Sequence, residues 1–479
     1  MKKTILTLGL PLIMLTAIST ADTVTAQNPQ PTQQEADDEE ESEETEEEEN
    51  DDEASTQDIR ENPVIDIDGD DIDIPVPSFI NKAANHITFN GADWMALKRA
   101  FANSSKKPVS IVHIGDSHLQ ADINGATTRE LLQYDFGNSG RGIITPLKMS
   151  GTNQPTDYIF SSNDNWTPVK LMSRTWSYPM GFTGTSIHPG YNSSSLTIGT
   201  KTSDDYNPFS SFTIFHGGKL TIDSVVGSDG YRVHYKAIPS RDYTQVVMAS
   251  QETQVKVYFS SKGDLTVYGV SLSGDRPGVF YHVIGNNGAT YATYNRIGTM
   301  GQGIAPLDPN LVIISLGTNE AFGRLDNDSF YRSIDRLVQN IRSANPNAQI
   351  LLTTPMECQK SYSKKVSKKV PVKTRARRSK KGKRRRSTTK MRTVTTTTRS
   401  YRPNDKIAQA RNQILKYGAD NGIAVLDWYE VAGGNGASNT WISNGLFSKD
   451  RIHHSGKGYH LQGRLLYDAL IDALTSTNK

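Results

Sequence analysis

Short, unbroken apolar runs recur at both ends of the chain. Residues 110–114, 280–284, 311–316 and 349–354 are β-branched stretches bounded by Gly, Pro, Asn or Asp, the pattern of strands buried on both faces. Between and after them the period changes to that of a helix. Trp94, Leu97 and Phe101 fall on one helical face, and the spacing predicts further helices over 330–344, 405–417 and 459–474, with a strand at 423–428. Alternating strands and helices predict a three-layer α/β fold around a parallel sheet. From about 145 to 275 the helical period disappears. Seven short alternating strands are expected there, at 195–198, 211–215, 220–226, 231–235, 245–248, 255–259 and 265–270, with turns such as Gly227-Ser228-Asp229-Gly230 between them. That texture predicts an inserted, jelly-roll-like β-sandwich.

The charge totals, 53 Lys+Arg against 51 Asp+Glu, conceal two opposed blocks. Residues 35–53 are almost entirely acidic, and 359–402 are strongly basic and poor in apolar residues; both are expected to be disordered. The Asp-rich stretch 66–73 lacks the final Glu of an EF-hand loop and reads as acidic linker. Met1–Ala26 combines Lys2-Lys3, an apolar core and small residues before Gln27. That is the pattern of a signal peptide cleaved near Ala26, giving an exported (periplasmic or secreted) protein without a further membrane span. In an exported chain the basic segment points to polyanions of the cell surface, or to the chain's own acidic block, and not to nucleic acid. A single cysteine, Cys358, excludes a disulfide framework and a zinc cluster, and it reads as a packing residue. No metal or cofactor is expected. The division that follows is signal peptide 1–26, acidic linker 27–75, α/β segments 76–144, 276–358 and 403–479, sandwich 145–275 and basic loop 359–402.

Candidate chemistry lies where the buried strands stop. The first ends in Gly115-Asp116-Ser117-His118, and a helix opening at Ser117 would offer free N–H groups to a developing oxyanion. The second opens into Gly285-Asn286-Asn287-Gly288, the third into Gly317-Thr318-Asn319, and near the C-terminus stands Asp450-Arg451-Ile452-His453. A serine hydroxyl is a weak nucleophile until a base removes its proton. His453 can serve as that base, and Asp450, three residues earlier, can orient it within one turn. His454 is the competing base, expected to point away. Trp166 and Trp176 are candidates for stacking on sugar rings, or for packing.

The ordered set Ser117, Gly288, Asn319 and His453, with Asp450, resembles the SGNH/GDSL hydrolase superfamily. The departures are His118 in place of Leu and Glu320 where Asp commonly follows the Asn. The resemblance implies Ser117, His453 and Asp450 as catalytic residues. It also implies an oxyanion hole made by the Ser117 and Gly288 backbones and the Asn319 amide. Gly-Asp-Ser-His, the sandwich at this place, and the C-terminal run Gly433-Gly434, Trp441, Gly445-Leu446, Asp450, His453, Gly458-Tyr459 are most similar to bacterial peptidoglycan O-acetylesterases and O-acetyltransferases. That likeness implies an acetylated glycan as substrate, peptidoglycan first and plant polysaccharide second, with hydrolysis and acetyl transfer both open. The contrasting reading is a non-enzymatic wall-binding protein on the same fold.

Overall fold

The computed structural model describes residues 74–201, 207–373 and 389–476. The expected signal peptide and nearly all of the acidic linker lie outside the described residues. Six strands form the central sheet: β1 (Ile87–Thr88), β2 (Val109–Gly115), β3 (Val279–Gly285), β4 (Leu311–Ser315), β5 (Gln349–Thr353) and β6 (Ala424–Leu426). Their spatial order is β1-β6-β5-β4-β2-β3. All neighbours run parallel except β1, which is antiparallel to β6. Successive side chains of a strand point to opposite faces, and the core divides accordingly. Val109 and Ile111 of β2, with Leu311 and Ile313 of β4, join Leu97, Phe101, Leu461 and Leu465 on one side. Val112, Ile114, Val312 and Ile314 face Ile334, Leu337, Ile341, Ile414 and Tyr417 on the other. The helices Asn327–Ala344, Lys406–Asn421 and Gly456–Thr475 thus cover both faces, as a parallel sheet requires.

Between β2 and β3 the chain builds a second, antiparallel β-rich region. One sheet orders Tyr235–Pro239, Tyr243–Glu252, Phe209–Gly217, Thr266–Ser273, Thr185–Pro189 and Trp166–Lys170, with Gly142–Ile144 also paired to Thr266–Ser273. The other orders Tyr158–Ser161, Ser193–Thr200, Gln254–Ser261 and Leu220–Gly227. Residues from both, including Phe160, Leu196, Phe212, Ile214, Val257 and Val267, share one buried core. Four strands here escape the hydrophobic pattern: Gly142–Ile144, Tyr158–Ser161, Trp166–Lys170 and Thr185–Pro189. The last two carry Pro168 and Pro189, residues depleted from strands. The strand expected at 231–235 is displaced to Tyr235–Pro239, because Val226 bridges to Arg232 and uses the preceding residues in the turn. A buried ion cluster ties this region to the α/β core. Asp122 Oδ2 accepts from Arg141 Nη2 at 2.6 Å and from Arg129 Nη1 at 3.0 Å, and Arg141 Nε donates to Asp157 at 2.9 Å. Removing one partner would strand a buried charge, a loss of about 3–5 kcal/mol.

In its described residues the basic segment is paired, where disorder was expected. Gln359–Lys373 pairs antiparallel with Thr389–Pro403 through fifteen registered positions, Gln359 opposite Pro403 and Lys373 opposite Thr389. Its polarity hides a strand pattern: the run Thr393–Thr398 is β-branched throughout, and Val366, Val370 and Val372 punctuate the facing strand, residue types enriched in strands. Among the described residues no helix is long and apolar enough to cross a membrane.

Candidate active site

The carboxyl ends of β2, β3 and β4 lie side by side, and ligands of open parallel sheets sit beyond such ends. Ser117 opens the helix Ser117–Gln120 directly after β2, and Asp116 caps it by accepting from the His118 N–H at 3.0 Å. The helix can approach β3 because β3 ends in glycine: a Cβ on Gly285 would stand 2.3 Å from the Gln120 nitrogen. Gln120 then accepts from the Asn287 N–H at 2.7 Å, and its amide donates to Thr152 at 2.9 Å. These bonds hold the turn that carries Gly288, whose φ of +73° favours glycine. Met172 flanks the same turn, 3.4 Å from where a Gly288 Cβ would lie.

The C-terminal turn supplies the rest. Ser117 Oγ lies 2.8 Å from His453 Nε2, and His453 Nδ1 lies 2.5 Å from Asp450 Oδ2. With the hydroxyl donating to Nε2 and Nδ1–H donating to the carboxylate, the three form one hydrogen-bonded chain. Asp450 Oδ1 also accepts from the N–H groups of Ile452 and His453, at 2.8 and 3.0 Å. Arg451 between them adopts a left-handed φ of +64°. Ser455 caps the helix Gly456–Thr475 immediately afterwards and pins the turn from the other side. Burial pushes the Asp450 carboxyl up, but the hydrogen bond and charge of His453 outweigh it and leave the group below its ordinary pKa. His454 does point away. It is buried among Trp441, Phe447, Tyr459 and His118, and burial lowers its pKa to about 3.

Among the described residues no hydrogen bond uses the N–H of Ser117 or of Gly288. Asn319 Nδ2 donates to Ala289 O at 3.0 Å and, more weakly, to Asp116 Oδ2 at 3.3 Å. Asp116, beyond the reach of the sequence pattern, is therefore a buried partner of the amide, and burial raises its pKa to about 6. The two tryptophans are half-buried, and each has a partner within the protein. Trp176 lies under the Arg296 guanidinium at 4.5 Å and donates to Lys170 O. Trp166 leans on Phe259 in the sandwich. Cys358 is buried, and burial pushes its thiol up.

Residues 259–461 match the model of the GDSL-like lipase/acylhydrolase family, a span that holds Gly288, Asn319, Asp450 and His453. Over that span the chain is similar to GDSL-like acylhydrolases. That similarity, together with the fold, supports an ester-hydrolysing enzyme of the SGNH hydrolase type. A solved peptidoglycan O-acetylesterase shares the acylhydrolase fold with a TM-score of 0.61 and 21% identity, over 82% of this chain and 99% of that one. At that identity the likeness is one of fold. A family two carbohydrate esterase from Cellvibrio japonicus gives a TM-score of 0.27 at 12% identity, over 66% of this chain and 97% of that one. A lipase/acylhydrolase from Enterococcus faecalis gives 0.27 at 17%, over 42% and 80%. No curated protein sequence matches the chain.

Glu320, beside Asn319 in the acylhydrolase core, has a measurable consequence. Its Oε1 accepts from the Tyr291 N–H at 2.8 Å, while Oε2 is buried without a partner among the described residues. Burial raises the carboxyl to about 7. A carboxyl raised in the folded state keeps a proton that the unfolded chain releases, so stability falls as pH rises from the ordinary carboxylate range to about 7. Glu320→Gln removes that dependence. Its Tm should equal that of the parent near pH 5 and exceed it by several degrees at pH 8. Equal Tm values at pH 8 would show that the carboxyl ionises freely.

Proposed function

We propose that the chain is an exported serine esterase that removes O-acetyl groups from a glycan, peptidoglycan first among them. The observation that carries the mechanism is the unbroken hydrogen-bond chain from Asp450 through His453 to Ser117. Ser117 Oγ attacks the acetyl carbonyl carbon while His453 Nε2 takes its proton, and Asp450 stabilises the imidazolium without itself being protonated. The oxyanion that forms is met by the N–H groups of Ser117 and Gly288. It is met also by the Asn319 amide, whose 3.3 Å bond to Asp116 is the one the oxyanion can displace. The carbon–oxygen bond to the sugar then breaks, and the sugar oxygen takes the proton from His453. Water, deprotonated by the same imidazole, attacks the acetyl-Ser117 ester, releasing acetate and restoring the hydroxyl.

Two features support a glycan acetate. The fold is shared with a solved peptidoglycan O-acetylesterase along 99% of that chain, its β-rich region included. Met172 flanks the Gly288 turn, where it would leave less room for a long acyl chain than for acetate. The leader pattern of 1–26 supports export, to the compartment where such a substrate lies. Acetate release from O-acetylated peptidoglycan should exceed that from acetylated xylan by at least about tenfold in kcat/KM, a difference of about 1.4 kcal/mol in transition-state binding. Equal or greater release from xylan would move the substrate to plant polysaccharides.

A further inference from the structure

The ribbon Gln359–Lys373/Thr389–Pro403 is unlike the rest of the protein. It buries almost nothing: nearly every position past its base is exposed. Its two strands carry ten cations, namely Lys360, Lys364, Lys365, Lys368, Lys369, Lys373, Lys390, Arg392, Arg399 and Arg402, and no Asp or Glu. An isolated two-stranded hairpin is marginal in water, and ten like charges make it more so. A counter-charge along its length would offset both costs.

The register distributes the cations regularly. Lys360, Lys364 and Lys368 share one face with Lys390, Arg392 and Arg402, while Lys365, Lys369 and Lys373 share the other with Arg399. Same-face lysines of one strand recur every four residues, about 13 Å at the usual rise. On the second face they alternate with hydroxyls from Ser361, Ser363, Ser367, Thr393, Thr395 and Thr397.

The root of this ribbon is joined to the turn that carries Asp450 and His453. Gln359 N–H donates to Arg451 O at 2.9 Å, and Arg451 Nη1 donates back to Gln359 Oε1 at 3.0 Å. The Arg451 guanidinium also lies 4.2 Å from the centre of the Tyr401 ring. The base of the ribbon is thus anchored on the turn that carries Asp450 and His453.

We infer that the ribbon is a binding arm for an anionic polysaccharide, which it holds by regularly spaced lysines and delivers to the ester site. The choice of a polysaccharide among polyanions rests on the glycan reading of that site. The ribbon's own chemistry agrees with it. Single-stranded nucleic acid would need a row of aromatic rings for stacking, and the described strands offer only Tyr362 and Tyr401, both near the root and beside Arg402 and Arg451. Membrane insertion would need a continuous apolar face, and the valines of this ribbon are interleaved with lysine.

The test uses the full chain and polygalacturonate as the probe, with dextran as its uncharged counterpart. The parent should bind polygalacturonate at 25 mM salt, lose at least about tenfold in affinity at 500 mM, and ignore dextran. Combining Lys364→Gln, Lys365→Gln, Lys368→Gln and Lys369→Gln should weaken low-salt binding about tenfold and leave turnover of an aryl acetate unchanged. Lys365→Gln, Lys369→Gln and Lys373→Gln together change one face only and should give a smaller loss, which keeps the test decisive if the quadruple variant misfolds. Undiminished binding by these variants would overturn the proposal. So would tighter binding of the parent to single-stranded DNA, or to phosphatidylserine vesicles, than to polygalacturonate. Lysine-dependent binding without acetate release from O-acetylated peptidoglycan would uphold the arm and reject the substrate reading alone.

Discussion

Ser117→Ala should lower kcat on a simple aryl acetate by about four orders of magnitude or more, with Tm unchanged. The hydroxyl is the one atom in the site placed both against the base and at the opening of a helix. Its Oγ is 2.8 Å from His453 Nε2, and alanine leaves the cap on Asp116 and the N–H groups of the oxyanion site in place. What remains after the loss is the contribution of those donors to direct attack by water. His453→Ala should fall to a similar level and not multiply the loss in the double variant, since the two residues act as one unit. A Ser117→Ala enzyme within about a hundredfold of the parent would show that another group is the nucleophile.

Asp450→Asn should cost about three to four orders of magnitude in kcat, less than loss of the nucleophile, and should leave Tm close to that of the parent. The asparagine oxygen can still accept from the Ile452 and His453 N–H groups, which hold the turn at 2.8 and 3.0 Å. The damage is to the imidazole. An amide NH2 facing Nδ1 places the histidine proton on Nε2, where a base must be empty. The bond from His453 holds Asp450 below its ordinary pKa against burial, so the carboxylate is ionised across the neutral range. Titration of Asp450 therefore cannot supply a limb of the pH–rate profile near neutrality. A kcat loss below about tenfold would mean that packing alone fixes the ring.

The residues proposed to carry the chemistry can be singled out from the sequence because each stands where an apolar run meets a turn signal. Ser117 follows Ile114-Gly115, Asn319 follows Leu316-Gly317, and Gly288 follows Ile284-Gly285. Asp450 and His453 are close in sequence, so their contact needs no long-range information. The parts that were not legible depend on packing between distant segments. Nothing in the pattern around Asp116 tells that its carboxylate meets the Asn319 amide 203 residues away, or that Met172 flanks Gly288. Arg451 reads as an ordinary charged turn residue, and only the fold joins it to Gln359 and Tyr401. The pairing of 359–373 with 389–403 escaped the sequence for a different reason. Strand signals are recognised by burial on one face, and the ribbon's lysine and threonine faces bury nothing. Trp166 and Trp176 show a further limit: aromatic side chains advertise stacking surface, but the sequence does not say that Phe259 and Arg296 lie beside those half-buried rings.

The central claim is an acetyl ester on Ser117, and trapping that ester tests it most directly. The parent is mixed with an aryl acetate, quenched in acid during turnover, digested and mapped by mass spectrometry. An acetyl group on the peptide that contains Ser117, absent from the same peptide of the His453→Ala enzyme, is the predicted result. Acetylation confined to other residues, or turnover by the parent with no acetylated peptide while Ser117→Ala stays active, would contradict it.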